Sequence, residues 1–185
     1  TWADTPGSPV ETVGDEGAGF DQNPPALAID QNNVLHLVWA GVNDTLDLVG
    51  GNEGKIVYSS ATTPGSVWSA AVKILGSSFE GGEDAPAIAV DGQNGIHVAW
   101  YGQNSGSEHG RVRYSSRAVF GGVFNPYVDI SYDSADSRFP SIAVDGTDNV
   151  HVLAVRRSAS GSGIYERVVH SSRTPSGGFN PWQTL

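Results

Sequence analysis

Short apolar runs separated by turn residues recur along this chain, and no stretch keeps a helical period long enough to predict a helix. The clearest run is Ala87 to Val90, bounded by Pro86 and Asp91, followed by the polar stretch Asp91 to Gly95 and a second apolar run from Ile96 to Trp100. It predicts a strand, a tight turn tied by its aspartate, and a second, antiparallel strand. The opening proline marks a strand start, where no ladder hydrogen bond is needed. Two further copies align with it without a gap, Pro25 to Trp39 and Pro140 to Ala154. The columns Pro25/Pro86/Pro140, Asp30/Asp91/Asp145 and His36/His97/His151 therefore read as repeat positions.

Each copy continues alike. A third strand ends in a double serine at Ser59, Ser115 and Ser171, evenly spaced, and a fourth opens with an aromatic, Trp68, Tyr127 or Trp182. Four antiparallel strands per repeat predict an all-β protein of β-propeller blades. The blades cover residues 25–75, 86–130 and 140–185. Residues 1–24 read as an extra N-terminal outer strand and linker, because Val10 to Gly14 aligns with Val72 to Gly76. Closed propellers have about 4 to 8 blades. Three blades therefore predict exposed blade faces, covered by two chains joining into a six-bladed ring, by the rest of a longer array, or by polymerisation with the N-terminal strand completing a neighbour's blade; self-association as a homo-oligomer or polymer is the expectation.

Composition narrows the partners. The 185 residues carry 20 acidic and 10 basic side chains, a net charge of −10, which argues against nucleic acid and an anionic membrane surface. No apolar run reaches the roughly 18 residues of a spanning helix, so no membrane insertion is expected. There is no cysteine, hence no disulfide and no thiolate metal site. A chain starting at Thr1 without methionine reads as processed or as an excised piece.

The repeats resemble the sialidase-like propellers with Asp-boxes, whose box runs Ser-x-Asp-x-Gly-x-Thr-Trp between the third and fourth strands. Ser60, Gly65 and Trp68 keep the serine, glycine and tryptophan, as do Ser172, Gly177 and Trp182 with an insertion; Ser116 to Tyr127 is looser, and the aspartate is missing from all three. The repeat pattern is similar to that of secreted bacterial proteins of this superfamily, which implies an extracellular or cell-surface location. A sialidase of this kind needs an arginine triad, a Tyr–Glu pair and an acid Asp, beside a Phe-Arg-Ile-Pro motif. Ser137-Arg138-Phe139-Pro140 is similar to that motif except at its first position, and Arg156 and Arg157 lie on the same blade. The full set is not found, so no catalytic residue is assigned and the chain is expected not to be an enzyme.

Candidate sites remain beside plainer readings. The histidine column would pack between blades with a ring nitrogen on backbone, and the aspartate column would tie its own turns. The acidic linkers, with Glu80, Glu83 and Asp84, admit calcium as the one cofactor to weigh, although none has the spacing of a dedicated calcium loop. Trp39 and Trp100, ending second strands beside long loops, and Tyr101 with Arg138 and Arg156, are the candidate ligand residues, with a glycan as ligand. The functions that follow are a non-enzymatic extracellular module acting in self-assembly or surface binding, a glycan-binding lectin, or a sialidase-type glycoside hydrolase.

Overall fold

The computed structural model describes residues 24–41, 55–62, 67–74, 80–104, 109–118, 122–131, 136–160 and 163–185. Twelve strands and no helix occur among them. Blade one comprises β1 (Ala26–Ile29), β2 (Leu35–Gly41), β3 (Lys55–Ala61) and β4 (Val72–Lys73). Blade two comprises β5 (Glu80–Val90), β6 (Ile96–Asn104), β7 (Gly110–Arg117) and β8 (Val128–Asp129). Blade three comprises β9 (Asp136–Val144), β10 (Val150–Ser160), β11 (Gly163–Arg173) and β12 (Gln183–Thr184). In each, the strands lie in sequence order and pair antiparallel. The expected outer strand within residues 1–24 lies outside the described residues, apart from Pro24.

The first hairpin repeats in atomic detail. Asp30 Oδ1 accepts the amides of Asn32 and Val34, Asp91 Oδ1 those of Gln93 and Gly95, and Asp145 Oδ1 those of Thr147 and Asn149. Asn33, Asn94 and Asp148 take the left-handed φ of 60°, 64° and 61° that closes each loop, a conformation Asn and Asp tolerate best among residues with a Cβ. The three turns are also linked in series. Gln31 N–H donates to Asn94 Oδ1, and Gly92 N–H donates to Asp148 Oδ1 at 2.7 Å.

Blade two sits between the other two. Its alternate side chains Ile96, Val98 and Trp100 join Val38, Ala40, Ile56 and Tyr58 in one core. The opposite side, with Ala99, Val112 and Tyr114, joins Val150, Val152, Ala154 and Val169 in a second. This is the period of two expected where both faces of a sheet are buried.

Two expectations need correction. Pro86 and Pro140 do not open their strands: β5 starts at Glu80 and β9 at Asp136, so both prolines lie inside a strand. The ladder shifts register there, between Asp84 and Ala87 and opposite Leu153 and Val155, and Ala85 and Phe139 adopt φ of 49° and 52°. A residue without an N–H is tolerated inside a strand at such a bulge. For the same reason Glu80, Glu83 and Asp84 belong to a strand and not to a linker loop.

Candidate functional site

The two bulges bring side chains together at the junction of blades two and three. Tyr101 of β6 is opposite Asp84 of β5, and Arg138 of β9 is opposite Val155 of β10. Asp84, Ala85, Tyr101, Arg138 and Phe139 line a cavity of ≈ 180 Å³. A second, mostly apolar cleft of ≈ 320 Å³ shares Asp84, Ala85 and Phe139 with it and adds Pro24, Pro25, Pro86 and Pro140. The proline column, read from sequence as strand punctuation, thus converges on one cleft beside the innermost strands.

The polar groups of the cavity are tightly placed. Arg138 Nε donates to Asp136 Oδ2 at 2.6 Å, and the guanidinium carbon lies 5.5 Å from the Tyr101 ring centroid. The other oxygen of Asp136 accepts the Gly110 N–H at 2.9 Å. A Cβ at Gly110 would collide with the Tyr101 ring, so only glycine lets that ring lie against β7. Burial raises the Tyr101 phenol above its ordinary range, against the pull of the Arg138 charge. Strained backbone at Ala85 and Phe139 borders the cavity, and Phe139 is 67 % exposed.

Directly behind it lies a buried polar cluster. Arg113 Nη1 donates to Glu83 Oε1 at 3.1 Å, and Trp100 Nε1 donates to the same oxygen at 3.2 Å. The Ile56 amide approaches Glu83 Oε2, and Arg113 Nε reaches Asp129 Oδ1 at 3.3 Å. Burial pushes the Glu83 carboxyl up, opposed by Arg113. A Cβ at Gly102 would strike Arg113, so the strand's glycine makes room for the guanidinium.

The sequence candidates separate accordingly. Tyr101 and Arg138 meet in the cavity. Trp100 is fully buried and Trp39 is 4 % exposed, so neither faces a ligand groove; both strands run past them, to Asn104 and Gly41. Arg156 sits in β10 opposite Ser137 and Arg167, and does not line the cavity. Of the calcium candidates, Glu83 is spent on Arg113 and Trp100, and Asp84 Oδ1 accepts the Ala85 amide; the Glu80 side chain lies outside the described residues. Among the described residues no group of three or more His, Asp or Glu side chains is placed to hold a metal ion. Sequence reasoning missed Gly110 and Ala85 as site residues, weighed Asp136 only among the acidic linkers that admit calcium although it lies in β9, and read Phe139 only as a letter of a motif. The usable signal was the residue–proline pair, since Ala85-Pro86 and Phe139-Pro140 mark the bulges.

The histidine column also differs from expectation. The rings face side chains: Nε2 of His97 and His151 bonds the turn aspartate at 3.0 and 3.2 Å, and Nε2 of His36 lies 3.5 Å from Asp30 Oδ2. Nδ1 faces Tyr58 Oη, Tyr114 Oη and His170 Nε2 at 2.8, 2.6 and 3.1 Å. His97 and His151 therefore tie their hairpins to the third strand of their own blades, and His36 reaches the third strand through Tyr58. Trp182 donates its indole N–H to the Ile130 carbonyl of blade two, and Tyr127 meets Trp100 edge to face. By hydrogen-bond register Trp68 corresponds to Phe124 and Phe179 rather than to Tyr127 and Trp182, because Ser69, Asn125 and Asn180 donate to Ser60, Ser116 and Ser172.

No family model matches the chain, and no curated protein matches it either. Solved structures do. A family 117 glycoside hydrolase of the marine bacterium Zobellia galactanivorans matches with a TM-score of 0.60 at 10 % identity, over 90 % of this chain and 55 % of that one. The alpha-L-arabinanase of Penicillium chrysogenum, complexed with arabinobiose, matches at 0.64 and 13 %, over 88 % and 50 %. The sialidase of Trypanosoma rangeli, complexed with 2,3-difluorosialic acid, matches at 0.54 and 11 %, over 89 % and 30 %. The chain spans about half the length of the first two.

These matches correct the expectation that the chain is not an enzyme. All three of these structures are enzymes, so the blade scaffold gives no ground for expecting a chain without catalysis; the likeness itself reaches the fold and not a catalytic set. At such identities the likeness is one of architecture: with three four-stranded antiparallel blades, the chain has the β-propeller blade fold that these enzymes, a sialidase among them, share.

Proposed function

We propose that this chain is the sugar-recognising part of a carbohydrate-active propeller, with its ligand held in the cleft of Asp84, Tyr101, Arg138 and Phe139. The observation that carries this reading is the Arg138 guanidinium poised over the Tyr101 ring while Asp136 anchors its Nε. That bond leaves the terminal guanidinium nitrogens to donate to a ligand. A sugar presents apolar C–H faces and a belt of hydroxyls. The rings of Tyr101 and Phe139 suit the former, and the Asp84 carboxylate and Arg138 suit the latter. The fold neighbours support the class of ligand, since one is complexed with arabinobiose and another with a difluorosialic acid.

The test is calorimetric titration with a panel of neutral and carboxylated oligosaccharides, using the chain and its Tyr101→Ala and Arg138→Ala variants. The reading expects at least one sugar to bind and each variant to weaken it tenfold or more. Binding by no sugar, or binding that both variants leave intact, contradicts it. Release of reducing ends in the same samples separates cleavage from binding.

A further inference from the structure

We propose that a second copy of this chain docks its first blade head to tail on the exposed face of the third blade. The proposal extends a junction that the molecule already makes twice. Between blades one and two, the His36–Tyr58 pair is capped by the next blade: Arg117 Nη2 donates to Tyr58 Oη at 2.6 Å, its guanidinium carbon lies 4.4 Å from that ring, and Phe124 meets the ring edge at 5.3 Å. Between blades two and three, Arg173 and Phe179 meet Tyr114 at 5.5 and 4.9 Å in the same way.

Blade three presents the same receiving face, and among the described residues nothing from another blade lies upon it. His151 stacks on His170 there, with ring centroids 5.3 Å apart. Leu153 is 38 % exposed, whereas Val38 and Ala99 at that position are fully buried, and Val168 is 46 % exposed where Ile56 and Val112 are fully buried. At the other end of the chain, the rear of blade one leaves Leu27 and Ile29 59 % and 57 % exposed; Ile88, which matches Leu27, is 9 % exposed.

The two ends are matched in chemistry. Cross-strand register places Ala61 opposite Leu35, where Arg117 is opposite Ile96 and Arg173 opposite Val150. Blade one is thus the blade that lacks the capping arginine, and blade three the blade whose third strand carries histidine in place of tyrosine. Trp68 takes the place of Phe124 and Phe179 as the aromatic that caps the receiving pair. A contact between unlike faces is heterologous; it closes into a ring if the rotation permits and otherwise extends as a filament.

Light scattering on the purified chain tests this with two surface variants, Leu27→Asp and Leu153→Asp. The expected result is a wild-type mass at an integer multiple of the monomer and monomers for each variant alone. An equimolar mixture of the two variants recovers a dimer, because one intact pair of faces remains. A monomeric wild type overturns the proposal. So does an oligomer that survives Leu27→Asp, which points to a symmetric contact between third blades. Circular dichroism and melting of each variant confirm that loss of mass reflects the interface and not the fold.

Discussion

His97 Nε2 lies 3.0 Å from Asp91 Oδ2, and its other nitrogen lies 2.6 Å from Tyr114 Oη. One imidazole thus joins the first hairpin of blade two to its third strand. Burial lowers the basicity of the His97 ring, against the hydrogen bond of Asp91, and burial likewise lowers that of His36. Burial alone would raise the Asp91 carboxyl, but the hydrogen bonds of His97 and of the Gly95 and Gln93 amides outweigh it and hold the carboxyl low.

Acid should therefore weaken the fold in a defined window. Histidines that resist protonation when folded add nothing to the pH slope above about 6.5 and cost stability as pH drops below it. The Asp91 contribution persists until the pH falls below the ordinary carboxylate range and is then lost. Urea denaturation from pH 8 to 5 should show falling stability, and His97→Gln should flatten that limb by at most about 1.4 kcal/mol per pH unit. A limb unchanged in the variant contradicts the assignment.

Glu83 and Arg113 lie against each other with side-chain exposures of 1 % and 0 %. Removing Glu83 takes the acceptor from the Trp100 N–H and one of two carboxylates from the buried cation, which keeps Asp129. Glu83→Ala should cost about 3–5 kcal/mol in chemical denaturation. Glu83→Gln, which keeps an acceptor oxygen, should cost less. Equal losses in the two variants would show that the charge, and not the bonded oxygen, sets the cost.

Gly110 is predicted to be irreplaceable only while Tyr101 keeps its ring. Gly110→Ala should displace that ring, lower stability by about 1–3 kcal/mol, and weaken any ligand of the cleft. On a Tyr101→Ala background the same change should be close to neutral. Additive losses in the double mutant, measured by thermal unfolding, would place the clash elsewhere.

How much of this was legible in the sequence follows from the range of each interaction. The hairpins were, because Asp91 acts on its own loop and an aspartate repeats there in every copy. The start of the inner strands was not: a proline signals a missing N–H, and Pro86 meets that condition equally at a strand end or at a bulge. Nor was the fate of Trp100, whose indole bonds a carboxylate 17 positions upstream in another strand. The cavity depends on that hidden feature, since the bulges at Ala85 and Phe139 set Asp84 and Arg138 beside Tyr101. The arginine column Arg117/Arg173 escaped notice for a similar reason: each acts on the preceding blade, and its meaning rests on pairing with Tyr58 or Tyr114.

The most direct measurement is amide NMR of the isotope-labelled chain titrated with the tightest-binding sugar of the panel. The account predicts that the largest shifts fall on Asp84, Ala85, Tyr101, Gly110, Arg138 and Phe139. Shifts confined to the outer cavity of blade three, of ≈ 280 Å³ between His170 and Gln183, would contradict it, as would a spectrum that no sugar perturbs.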